Sequence, residues 1–228
     1  MAHEATTLAA EKQALLTLLE SADEDGKYSD AQFDDLMQAI NDLLPHSPIP
    51  RPLDEQDRIA SPWRTLFACF GPKHSAGKTL VHDTLLSYQT FNKFPAVPVR
   101  VTGLEQEIHA GTLEYNNLAY LTAPDGATKA VAITRGHYTE DAENRQRYQV
   151  TFTSVELISQ TGDSDDKLRL AFGLPPDQPM TVELKANFHS DVVFCDDTLR
   201  INFGSVGGVY ILQRLHHNGT SVDFSTSC

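Results

Sequence analysis

From Ser61 onward, eight short segments rich in Val, Ile, Thr, Tyr and Phe recur at nearly regular intervals. They are WRTLFACF (63–70), VRVTGLEQEI (99–108), TLEYNNLAYLT (112–122), ATKAVAITRGHY (127–138), RYQVTFTSVELIS (147–159), MTVELKANF (180–188), TLRINF (198–203) and VYILQRL (209–215). Residues of this kind favour the pleated, half-buried surface of a strand. Between them fall the turn signals HAG, PDGA, TEDAEN, TGDSDD, GLPPDQP and GSVGG, whose Gly, Pro, Asn and Asp suit tight reversals. Parallel strands need long crossovers, usually helices, and no long helical period interleaves these segments. The order therefore predicts a mainly β fold, an antiparallel barrel or sandwich of about eight strands. One stretch departs from it. In LVHDTLLSYQTFN (80–92), Val81, Leu85, Tyr88 and Phe91 lie near helical spacing, which predicts a short helix or Ω-type excursion after the first strand.

The first fifty residues have a different period. Phe33, Leu36, Met37, Ile40, Leu43 and Leu44 form one helical stripe, with Ser29 and Gln32 spaced as a capping box and Pro45 as the stop. An earlier segment, Leu8 to Leu19, is predicted to be a helix packed beside it. The stretch PHSPIPRPL then carries four prolines within eight residues, which predicts an extended linker barred from a sheet ladder. The organisation expected is a helical pair over 1–50, a proline-rich linker over 51–60, a barrel over 61–217 and a tail over 218–228.

Eighteen Lys and Arg against thirty-one Asp and Glu leave a formal net charge of -13. A sheath of that sign repels phosphate backbones and anionic lipid, so nucleic acid is not an expected partner. No apolar run approaches the roughly 18 residues of a membrane span, and the start MAHEATTLAAEKQ lacks a basic-then-apolar leader pattern. A cytoplasmic protein is expected, with peripheral association at a membrane as the open alternative. Three scattered cysteines, Cys69, Cys195 and Cys228, suggest a reducing compartment and predict neither a disulfide framework nor a zinc site. No metal and no cofactor is expected.

Several stretches imitate chemistry. GPKHSAGKT (71–79) resembles a phosphate-binding P-loop, but five residues separate its glycines where the motif has four. VVFCDD (192–197) imitates the strand and Asp that hold magnesium. Along SADEDGKYSDAQF (21–33), Asp23, Asp25, Gly26, Tyr28 and Ser29 match calcium-loop positions, while Ser21 and Gln32 replace the two anionic end ligands. No GxSxG or HExxH occurs, and His216-His217 reads as a solvated strand end. No catalytic residue is assigned.

The order of the whole chain is more informative. LLTLLESADEDGKYSDAQFDDLMQAINDLLPHSP, SPWRTLFACF, GLEQEIHAGTLEYNNLAYL and VVFCDDTLRINFGSVGGVYILQRL together resemble the plastid lipid-associated protein (PAP/fibrillin) family over residues 8–215. The hairpin likeness rests on Gly103, Gln106, Ile108 and Asn116 or Asn117. The closing hairpin carries an aromatic, an Asp, Leu-Arg-Ile, a glycine turn and an apolar strand. Phe194 stands where a tyrosine is common, and Phe203 where a basic residue often follows.

The resemblance implies a lipocalin-like antiparallel barrel, preceded by a helical pair, that binds or organises a lipid, prenylquinone or carotenoid without catalysis. Such barrels often close with a tryptophan covered by an arginine. Trp63 with Arg200 is the expected pair, with Arg214 as the alternative. The expected pocket residues, chosen for bulk, are Trp63, Leu66, Phe67, Leu118 and Tyr120, with Phe152, Phe188, Phe194 and Ile201 from the later strands. Alternation puts Leu199, Ile201 and Phe203 on one face, and Tyr210, Leu212 and Arg214 on one face of the next strand, without saying which face is the lumen. Two other readings remain: a structural protein associated with a membrane or lipid body, and a nucleotide-binding enzyme built on the P-loop-like stretch.

Overall fold

The computed structural model describes residues 2–22, 27–69, 85–205 and 207–215. The P-loop-like stretch 71–79, the acidic turn 23–26, His216-His217 and the tail lie outside them.

Two helices open the chain, α1 (Ala2–Leu19) and α2 (Asp30–Leu43). The Ser29 side chain accepts from the Gln32 amide, and the Gln32 side chain returns to the Ser29 amide at 2.8 Å. Gln32 also donates to the Ser21 carbonyl at 2.6 Å. The position a calcium loop reserves for its last ligand is thus occupied in a cap. Leu15, Leu36, Ile40 and Leu43 are fully buried, and they share one cluster with Phe67, Phe194, Leu199, Ile201 and Ile211. The helical pair therefore lies on the outer wall of the sheet.

The sheet is a closed barrel of eight antiparallel strands in sequence order. These are β1 (Ser61–Cys69), β2 (Arg100–His109), β3 (Glu114–Thr122), β4 (Lys129–Glu140), β5 (Arg147–Ser159), β6 (Thr181–Cys195), β7 (Leu199–Gly204) and β8 (Val209–Arg214). β8 closes onto β1, with Trp63 opposite Arg214 and Cys69 opposite Val209. VVFCDD does not stand alone; its first four residues end the long β6. Bulges in β1, β2, β5 and β6 supply the bends that closure requires. Opposite the β5 bulge at Thr153, a Cβ on Gly136 would sit 2.8 Å from both Phe152 Cδ1 and the Thr151 carbonyl, so glycine alone permits that approach.

One end is plugged and the other is partly covered. At the Trp63 end, the proline-rich stretch forms 3-10 turns at Leu44–His46 and Pro52–Asp54, then α3 (Gln56–Ile59). It is not simply extended, because Ile49, Leu53 and Ile59 are buried against Trp63, Tyr138 and Tyr148. At the other end sits α4 (Asp165–Ala171), where the turn signal TGDSDD by itself predicts no helix. Ser164 caps it, Asp165 and Asp166 fill its first turn, and Gly173 leaves it at φ +68°. Its Leu168, with Phe172 just beyond, packs on Phe94 and Val99. The helical option for 80–92 fails over its described part. Leu86 bridges to Val99 and Thr90 to Phe94, and Phe91 and Asn92 both have positive φ, so this is a reversing loop across the barrel mouth.

Asp196, in the β6–β7 turn, joins helix to barrel. It takes a hydrogen bond from Lys12 of α1 and accepts the amides of Thr198 at 2.7 Å and Leu199 at 2.8 Å. Burial by itself raises its pKa, but these three donors outweigh burial and hold the carboxyl below its ordinary value. A depressed folded pKa means the stability it contributes is present above about pH 4 and is lost as pH falls through the folded value. Asp196→Ala is expected to cost about 1–3 kcal/mol at pH 7. Urea unfolding at stepped pH should show that difference shrinking below pH 4; a pH-independent difference would rule out the carboxylate as its source.

Candidate functional site

The lumen contains a cavity of about 540 Å³. It exists because bulk is missing from facing positions. Ala119 on β3 lies directly opposite Ala132 on β4, and Ala68 of β1 also borders the space. Its upper part is aromatic: Phe91 of the mouth loop meets Phe152 at 5.5 Å and Phe188 at 5.9 Å between ring centroids, and Phe152 meets Phe188 at 6.1 Å. The mouth lies beside Gly204 and Ser205, at the end of β1 and β8 away from Trp63.

The deeper wall is polar. Gln106 donates to Asn117 at 3.0 Å, and its own carbonyl oxygen accepts from Arg200 Nη2. Asn202 donates to Ser190 at 3.0 Å. Gln106, Asn117, Tyr115 and Ser190 border the cavity. Burial pushes the Tyr115 hydroxyl above its ordinary range, with Arg200 opposing the shift. Cys195, packed in the same end, has its thiol pushed up to about 11 by burial.

Below this wall lies Trp63, fully buried, its indole N–H donating to the Ile59 carbonyl at 2.9 Å. The Arg200 Cζ is 4.7 Å from the Trp63 ring and the Arg214 Cζ is 4.4 Å. Both arginines that the sequence offered as alternatives therefore stack on the indole. Arg214 is held by the Asp197 carbonyl at 2.8 Å and by the Arg58 carbonyl. Arg200 is fully buried, and its Nε and Nη1 have no hydrogen-bond partner; the Tyr148 hydroxyl and Asn202 Oδ1 share that condition.

The bulky residues expected in the pocket divide. Phe152 and Phe188 border the cavity, whereas the Leu118 side chain packs with Tyr120, Val131 and Ile133 on the other face of the sheet. Trp63 belongs to the closed end instead. Phe67, Phe194 and Ile201 point outward into the interface with α1 and α2. Tyr120 is on the outer wall, its hydroxyl donating to Glu105 at 3.1 Å. Leu66 lies at the β1 bulge, half-buried and away from the cavity. The residues missed are Ala119, Ala132, Gln106, Asn117, Ser190, Phe91 and Tyr210. The usable signal was small and amide side chains inside otherwise apolar strands, since a lumen is where bulk is withheld.

Among the described residues, no three His, Cys, Asp or Glu side chains converge as a metal site, and no helix is long and apolar enough to cross a membrane. No family model, curated protein or solved structure matches the chain.

Proposed function

We propose that this protein binds or organises one hydrophobic small molecule inside its barrel, without making or breaking a bond in it. The candidate classes are lipid, prenylquinone and carotenoid, and the resemblance to the PAP/fibrillin family accords with them. The observation that carries the reading is the aromatic-topped cavity, whose volume lies within the range of about 300–1,000 Å³ usual for small-molecule sites. Ala119 and Ala132 leave room beside the lumen that larger side chains would fill. In a carrier they are the seat of the ligand.

The other readings have weaker support. A docking helix would present an apolar stripe, whereas the stripe of α2 is spent on the barrel wall. A P-loop fold needs parallel strands with crossover helices, whereas all eight neighbouring pairs here are antiparallel. The test is native mass spectrometry of the full chain, as purified and after delipidation and exposure to a fatty acid, a prenylquinone and a carotenoid. One ligand per chain is the expected result. A delipidated protein that takes up none of them would overturn the proposal.

A further inference from the structure

The polar wall of the cavity is one rung of the barrel. Gln106 on β2 lies directly opposite Asn117 on β3, and Asn117 directly opposite Thr134 on β4; all three border the cavity. One rung nearer the mouth, on the same face of β3 and β4, stand Ala119 and Ala132, so the space the alanines leave lies immediately over Asn117 and Thr134. The direction of the amides is fixed from behind the wall. A guanidinium donates and never accepts, so Arg200 Nη2 meets the Gln106 oxygen, and Gln106 Nε2 in turn donates to Asn117 Oδ1 at 3.0 Å. The free end of this relay is the side-chain N–H2 group of Asn117. Neither it nor the Thr134 hydroxyl beside it has a hydrogen-bond partner among the described residues.

We infer that Asn117, with Thr134, seats a neutral carbonyl, so that the ligand is an uncharged ester, ketone or quinone with an apolar body. The carbonyl oxygen accepts from Asn117 Nδ2 and the Thr134 hydroxyl, and the apolar body runs toward the mouth among Phe91, Phe152 and Phe188. This rests on the barrel being an apolar-ligand site and adds the chemistry of the ligand's inner end. A bare hydrocarbon would leave the donors unpaired. A carboxylate would lose its water with no counter-charge on the wall, since no Lys or Arg borders the cavity among the described residues. An ordered water is the competing partner for the same donors, and it would make ligand affinity indifferent to Asn117.

The test uses the delipidated full chain and three probes: methyl laurate, pentadecane, which has the same number of heavy atoms, and laurate at neutral pH. Affinities are read by competition with fluorescent aminoanthracene. In Asn117→Leu, methyl laurate is expected to lose about ten- to a hundredfold in affinity, the cost of a buried carbonyl left without its donor, while pentadecane binds as before or better. Laurate is expected to bind the wild-type protein about tenfold or more weakly than its methyl ester. Isotope-edited infrared spectroscopy of the wild-type complex should place the bound ester carbonyl band below its position in hexane, and this reading decides if the variant does not fold. An unshifted band, or equal changes for ester and alkane in Asn117→Leu, overturns the carbonyl seat and leaves the apolar-ligand reading standing. Tighter binding of laurate than of its ester likewise overturns the preference for a neutral head. Binding of none of the three overturns both.

Discussion

Trp63→Ala is expected to lower the unfolding free energy by about 3–5 kcal/mol, the usual cost of truncating a buried large aromatic. Trp63 is the single tryptophan of the chain, and it stands where β1 pairs with Gln106 of β2 on one side and Arg214 of β8 on the other. Its loss removes the ring on which both guanidiniums stack and the bond to the Ile59 carbonyl that seats α3. The void would open between the closed end and the cavity, beneath Ile49, Leu53 and Ile59. Native domains hold only about 5–15 kcal/mol in total, so a loss of this size takes a large fraction of the stability. Urea unfolding followed by far-UV circular dichroism measures it. A change under about 1 kcal/mol would mean that the plug repacks and that Trp63 is not the keystone of closure.

Ala132→Phe should abolish ligand uptake, by about a hundredfold or more, while leaving the barrel folded. Position 132 is fully buried and borders the cavity opposite Ala119. A phenyl ring there occupies space the ligand needs. Overpacking a filled core costs about 1–3 kcal/mol, but here the ring enters existing void, so the urea midpoint should move little. The separation is the informative part: native mass spectrometry shows empty protein, and circular dichroism shows an intact barrel. If the variant still carries a ligand, the cavity between β3 and β4 is not where ligand sits.

Strands and helices were legible because each is written locally. β-branched and aromatic segments broken by Gly, Asp and Pro turns specify antiparallel neighbours in order, and Ser29-x-x-Gln32 marks the start of α2. α4 was not legible, because its apolar positions are few and only Ser164 and two aspartates announce it. The site was legible only in part. Phe152 and Phe188 face the lumen as bulk suggested, but Phe67, Phe194 and Ile201 do not. On β7 the apolar residues Leu199 and Ile201 face outward, while Arg200, with Asn202 two residues on, faces in.

The physical reason is that β7, most of β8, and the ends of β1 and β6 beside them are buried on both faces, one by the lumen side and the other by α1 and α2. Where both faces exclude water, hydrophobicity no longer marks the inside. By itself the sequence determined an antiparallel β fold, barrel or sandwich, with a helical pair before it, since period and turn chemistry need no distant partner. Only the tertiary structure decided which face encloses the cavity, and that an arginine stacked on Trp63 lies behind its polar wall. Both depend on where the helices dock and where bulk is withheld.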